Sequence, residues 1–213
     1  MVGKTLPNYS EEMRLRLDGF DLIAGVDEVG RGPLAGPVTA AAVVLDPDKI
    51  PAGLNDSKKL TPKIRYGIFE KLKENAYYGI GVSSNNEIDI YGIQNATFKA
   101  MERAFLDLRK KFCELNIATI LIDGNQNPGF QDKFGVDTKL IVKGDTISPS
   151  IAAASIFAKC TRDLHMLEMD TIYKGYGFRT NMGYGTRLHK NKLLVSGSTQ
   201  LHRMTFSPMK NMK

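Results

Sequence analysis

Cysteine and histidine are both scarce in this sequence, and neither is arranged for a structural metal or a disulfide framework. The two cysteines, Cys113 and Cys160, lie in helical patterns without ligand spacing, which fits reduced thiols. The three histidines, His165, His189 and His202, are scattered and show no zinc-type spacing. No apolar run approaches the roughly 18 residues of a membrane span, so no membrane partner is expected. Met1–Pro7 lacks the apolar core and small-residue cleavage site of a secretory signal, and the chain is expected to be cytoplasmic. Internal repeats, low-complexity tracts and interior linkers are also missing. What is present is an ordinary globular composition, 42% hydrophobic and 24% charged in 213 residues, with a net charge of +6. That basic balance suits a polyanionic partner if the cations gather around a site.

Buried strands are read at Leu22–Val26, Val38–Leu45, Ala118–Ile122 and Lys139–Val142, with a glycine-containing one at Tyr77–Val82. Ser10 reads as the cap of a short opening helix whose apolar positions are Met13, Leu17 and Phe20. Thr61-Pro62 opens a helix with Ile64, Ile68, Phe69 and Leu72 on its apolar face. Gln94–Leu115 repeats apolar residues every three or four positions, and a long helix runs from Ser150 towards Tyr173. Early strands followed by alternating helices predict an α/β layered domain with a mixed sheet over 1–175. Residues 176–213, rich in Gly, Tyr, Lys and Arg and containing a helix from Thr186 to Leu194, read as a small C-terminal helical segment packed on it.

Three of the strands run into acids: Asp27-Glu28, Asp123 and Asp145. Singly, Asp-Gly and Gly-Asp are turn dipeptides, and the stretch Asp27–Gly36 could be a solvated turn. Repetition at successive strand ends instead points to one edge of a sheet crowded with carboxylates. Such a cluster is poorly tolerated unless hard cations such as Mg2+ or Mn2+ neutralise it. With the basic charge, this favours a metal-dependent phosphodiester enzyme, in which two cations about 4 Å apart serve the attacking water and the leaving oxygen. The glycines at 30, 32 and 36 let the backbone approach a ligand.

The run Asp27-Glu28-Val29-Gly30-Arg31-Gly32-Pro33-Leu34-Ala35-Gly36-Pro37-Val38 resembles the signature of the ribonuclease HII family. The likeness continues in order through Asp56–Leu60, Ile122–Gly124, Lys143–Asp145, Ser150–Ile156, Ala158-Lys159, Thr161–Asp163, Gly183–Thr186 and His202-Arg203. It implies an RNase H-like fold and hydrolysis of the RNA strand of RNA/DNA hybrids, with cleavage 5′ of single ribonucleotides embedded in duplex DNA. It also implies that Asp27, Glu28, Asp123 and Asp145 are the catalytic, metal-binding carboxylates, and that Gly30, Arg31 and Gly32 read the ribose 2′-hydroxyl together with Tyr184. Lys58, Lys59, Ser148, Ser150 and Lys159 are the implied phosphate contacts, whereas Asp163 is structural. A monomer is expected. Two departures are a cysteine at 160 in place of an aliphatic residue, and Met182 where a lysine often precedes Gly183. Ser207–Lys213 carries no convincing sliding-clamp motif. Competing readings are another RNase H-like nuclease, such as a junction resolvase that needs no ribose reader, and a basic nucleic-acid-binding module without catalysis.

Overall fold

The computed structural model describes residues 6–19 and 22–211. After a short helix, Ser10–Leu17 (α1), come strands Ile23–Val29 (β1) and Val38–Leu45 (β2), helix Pro62–Asn75 (α2) and strand Ala76–Ser83 (β3). Helix Asn85–Lys111 (α3), strand Thr119–Asp123 (β4), helix Phe130–Phe134 (α4) and strand Asp137–Ile141 (β5) follow. Helices Pro149–Ile172 (α5), Phe178–Asn181 (α6) and Arg187–Ser196 (α7) come next, and a 3-10 turn at Met209–Asn211 ends the described residues. The strands form one mixed sheet in the order β3-β2-β1-β4-β5. The β1–β2 and β2–β3 pairs are antiparallel, while β1–β4 and β4–β5 are parallel.

Both faces of this sheet are covered, which is why its central strands read as continuous apolar runs rather than alternating ones. On β2, Val38, Ala40, Ala42 and Val44 turn to α3, where they meet Ala100, Ala104 and Phe105. Ala41, Val43 and Leu45 turn the other way, to α2 and α5, and pack with Leu72, Ile156 and Phe157. The glycines of β3 are close-approach points: a Cβ on Gly79 or Gly81 would lie 2.2 or 2.0 Å from a carbonyl oxygen of α3. No helix among the described residues is long and apolar enough to cross a membrane.

Several expectations are corrected. Met13 and Leu17 are exposed, and α1 instead buries Leu15 and the carboxylate of Glu12; Phe20 lies outside the described residues. On α2, Ile64 is exposed and Arg65 is buried among Ile68, Phe69 and Leu72. The long helix α3 begins at Asn85 under a Ser84–Glu87 capping box and breaks at Gly92, whose φ is 75°. It ends at Lys111, before Leu115. Short α4 occupies part of what reads as a loop.

The chain's last segment is stitched to the glycine-rich loop after β1. Leu34 N–H donates to Gly183 O at 2.8 Å, Gly36 N–H to Leu201 O at 2.9 Å and Arg203 N–H to Leu34 O at 2.9 Å. Ala35 and His202 form an isolated β-bridge.

Candidate active site

The sheet's connectivity explains where the acids emerge. The parallel register pairs Val26 with Ile122, so the next step along both strands sets Asp27 beside Asp123, the last residue of β4. Beyond that point β1 continues against β2 alone, as far as Val29 opposite Thr39. The two carboxylates therefore stand at an open edge. Successive strand residues face opposite ways, so Asp27 points towards α5 and Glu28 towards α3. In keeping with this, Asp27 takes a hydrogen bond from Ser155 of α5. Glu28 is approached by Arg31 Nη1 at 3.4 Å, and Arg31 Nη2 donates to Gln94 of α3 at 2.8 Å. Glu28, Arg31, Gln94 and Asp123 line a hollow of about 80 Å3 with Asn125 and Gln126.

Asp145 arrives from a 3-10 turn, Gly144–Thr146, rather than from a strand end. Lys143 enters that turn in the left-handed region, with φ 58°, and Gly144 N–H donates to Asp123 Oδ1 at 2.7 Å, which ties the turn to β4. Ile151 Cδ1 of α5 lies 2.5 Å from where a Cβ on Gly144 would sit, so a side chain there would have to displace the end of that isoleucine.

The electrostatics of this edge are strained. Burial, followed by the charges of Glu28 and Asp123, pushes the Asp27 carboxyl well above the usual carboxylate range. Burial also raises Glu28, against the opposing charge of Arg31. Asp145 is pushed up to about 6 by burial and by Asp56 and Asp123, and it shares a hydrogen bond with Asp56. Burial opposes the charge of Lys58, yet the surrounding acids Asp27, Asp56, Asp145 and Asp123 raise its pKa. Acids so disposed are short of positive charge. An all-oxygen, anionic donor set of this kind fits a hard divalent cation. Among the described residues, no three His, Cys, Asp or Glu side chains form a ready-made cage.

Next to the acids, Gly30, Arg31 and Gly32 form the start of the loop. Gly30 has φ 95°, and a Cβ there would sit 2.3 Å from Arg162 Nε. Arg31, Gly32 and Tyr184 are exposed, and the Tyr184 ring lies 3.6 Å from where a Cβ on Gly32 would be. The structure thus brings together Asp27, Glu28, Asp123, Asp145 and Lys58, with Gly30, Arg31, Gly32 and Tyr184 alongside.

The remaining expected contacts fare differently. Ser148 and Ser150 are fully buried. Ser148 Oγ caps α5, accepting from Ile151 N–H at 3.2 Å and donating to Glu12 Oε1 at 2.5 Å; Ser150 N–H donates to the same oxygen at 3.1 Å. Lys159 is half-buried and donates to Asp163 at 2.7 Å, with Arg65 on the other side of that carboxylate at 3.6 Å. Lys59 is exposed and lies 3.9 Å from Asp56.

Sequence reasoning missed four residues that organise the edge: Asp56, Gln94, Arg162 and Arg203. Both arginines are fully buried. Arg203 donates to the carbonyls of Gly30, Arg31, Gly36 and Pro37, and Arg162 to those of Ala35, Pro37 and Met182. Burial depresses their pKa values to about 9 and about 10. Asp56, Arg162 and Arg203 lie inside the motifs quoted above, yet a charged residue in a sequence reads as solvated by default.

The family model described as Ribonuclease HII matches residues 24–209. The ribonuclease HII of Wolbachia pipientis wMel is 47% identical over 204 residues, which cover 95% of this chain and 96% of that protein. The ribonuclease HII of Rhizobium meliloti strain 1021 is 45% identical over 205 residues, covering 96% and 91%. Among solved structures, that of the PCNA:RNase HII complex from Archaeoglobus fulgidus superposes with a TM-score of 0.72 at 21% identity, covering 87% of this chain and 95% of the other. Bst-RNase HIII in complex with Mn2+ gives 0.69 at 20%, covering 89% and 68%. The mixed sheet is therefore RNase H-like. The matched span takes in the strand-edge acids, the glycine loop and the Tyr184 turn, and on that footing the chain belongs to the ribonuclease HII family, hydrolases of the RNA in RNA/DNA hybrids.

Proposed function

We propose that the chain is an endonuclease that also cuts 5′ of single ribonucleotides embedded in duplex DNA. The observation that carries this reading is the juxtaposition of an open, acid-rich sheet edge with an exposed glycine loop and tyrosine. Only RNA offers a 2′-hydroxyl, which is both donor and acceptor, and a loop of small residues lets backbone groups reach it. The ring of Tyr184 packs on the sugar, and its hydroxyl is free to hydrogen-bond. Arg162 and Arg203 hold the loop by its carbonyls, so its shape precedes binding. Lys58, kept charged by its acidic neighbours, faces the scissile phosphate.

Asp27, Glu28, Asp123 and Asp145 are the groups that would hold Mg2+ or Mn2+. The chemistry two such ions supply when bound is activation of a water and stabilisation of the leaving 3′-oxygen. The charge deficit at the edge supports this, as does the Mn2+ in the solved structure of Bst-RNase HIII. The four acids would hold the cations in place, and without cations their charge repels the phosphate backbone. We infer further that the enzyme is a cytoplasmic monomer, with residues 1–175 as the catalytic unit and 176–213 as the substrate-binding segment.

The test is a duplex carrying one ribonucleotide, incubated with purified protein and Mn2+ or Mg2+. A single cut 5′ of the ribonucleotide, leaving a 5′-phosphate, is expected. An intact duplex, or equal cutting of an all-DNA control, would overturn the reading. Asp27→Asn is expected to lower the rate by at least about 100-fold with binding of the hybrid retained; unchanged cleavage would remove the carboxylates from the mechanism.

A further inference from the structure

Behind Tyr184, away from the carboxylate edge, two buried imidazoles face each other. His189 Nε2 and His202 Nε2 are 2.9 Å apart, in a box of aromatic rings that includes Tyr176 and Phe178. The ends of this pair fix its polarity. Thr199 N–H lies 2.8 Å from His202 Nδ1, and since an amide only donates, that nitrogen carries a lone pair. Neutral His202 then has its proton on Nε2 and donates it to His189. His189 keeps its own proton on Nδ1, 2.9 Å from the Tyr184 carbonyl, which only accepts. Both ends independently demand the same direction.

The turn that bears Tyr184 is gripped carbonyl by carbonyl from three sides. Arg162 holds Met182 O at 2.9 Å, Leu34 N–H holds Gly183 O at 2.8 Å and His189 holds Tyr184 O at 2.9 Å. Met182 sits in the left-handed region, with φ 49°, a conformation that a non-glycine residue keeps only when its surroundings impose it. Of the three grips, that of His189 acts on the Tyr184 carbonyl itself, which also accepts from Thr186 N–H at 2.8 Å, so His189 is the side chain that adds to the turn's own backbone bonds there. An apolar pair would fill the same box, whereas two imidazoles cost desolvation that only a complete chain of bonds offsets.

We propose that the directed chain from Thr199 through His202 and His189 to the Tyr184 carbonyl is a positioning device for ribose recognition. It sets the Tyr184 ring against Gly32, so that His189 and His202 determine specificity without touching the substrate. This rests on the reading of Tyr184 as part of the ribose reader.

The experiment compares cleavage of a one-ribonucleotide duplex with cleavage of a continuous hybrid for His189→Phe, His189→Asn, Tyr184→Ala and the double variant H189F/Y184A. His189→Phe is expected to lower the first activity roughly 10-fold more than the second, the equivalent of one hydrogen bond. His189→Asn, which restores a donor near the Nδ1 position, should recover much of that selectivity. The double variant should be no less selective than Tyr184→Ala alone. Equal losses on both substrates for His189→Phe, beside a selective Tyr184→Ala, would overturn the positioning role and leave the tyrosine's role standing. An unselective Tyr184→Ala would overturn both. Should the phenylalanine variant fail to fold, nitrogen NMR of the unmodified protein at neutral pH decides: His189 as the Nδ1–H tautomer and His202 as the Nε2–H tautomer are expected, and the reverse assignment, or a protonated ring, would overturn the chain.

Discussion

At Gly25 there is no room for a methyl group. A Cβ would lie 2.1 Å from the carbonyl carbon of Ser150, because β1 and the first turn of α5 touch backbone to backbone two residues before Asp27. The contact fixes the depth at which the acids emerge relative to α5, and neither backbone can yield cheaply. Gly25→Ala is expected to destabilise the fold by about 3 kcal/mol, near the upper end for overpacking, as a lowered urea midpoint with unchanged slope. Single residues were legible in the sequence wherever their role is local. Asp27 and Asp123 are acids at the ends of apolar runs, and Thr61 is a helix cap whose Oγ1 accepts from Ile64 N–H. Residues whose partners lie far along the chain were not legible. Ser148 and Ser150 read as phosphate contacts because nothing nearby announces Glu12, 136 and 138 positions away.

That same carboxylate links residue to element. The 24-residue α5 presents its N-terminus to the sheet, and Glu12 of α1 seats one oxygen on it, where both the helix dipole and the free N–H groups favour an acid. This is why α1 turns Glu12 inward and leaves Leu17 84% exposed, contrary to its apolar spacing. Glu12→Ala should cost about 2 kcal/mol through the unpaired Ser150 N–H and the lost dipole interaction. Glu12→Gln should cost less, because an amide oxygen still accepts. Chemical denaturation of both variants checks the order. Elements with a continuous apolar run, such as β2, or a strong period, such as the body of α3, were legible. The first turns of α3 were not, because Gly92 interrupts the period with a left-handed residue, and the five-residue α4 is too short to show one.

For the whole molecule, the buried imidazoles make stability depend on pH. Burial, with the neighbouring His189, lowers His202 from 6.5 to about 4. The unfolded chain takes up a proton below about pH 6.5 that the folded one refuses until about pH 4, so the unfolding free energy falls as the pH drops through that window. The full effect is on the order of 3 kcal/mol. Asp145, raised to about 6, acts in the opposite sense: the folded state binds its proton first and gains stability as the pH falls from about 6 towards 3.8. Urea titrations from pH 7 to pH 4 should therefore show a shallower acid slope in His202→Phe than in the unmodified protein. An unaltered slope would mean that His202 titrates normally.

The glycine-rich loop after β1 and the residues that shape it lie far apart along the chain. Arg203 reaches Gly30, Arg31 and Gly36 across 173, 172 and 167 positions, and the Ala35–His202 bridge closes the same gap. On a ribosome, β1 and its acids emerge early, whereas the groups that fix the loop arrive almost last. A nascent chain thus carries Asp27 and Glu28 before the loop beside them has its fixed geometry. The loop at 30–37 gains its carbonyl partners only once Arg203 has been made, so a fragment that stops short of Arg203 lacks the contacts that order it.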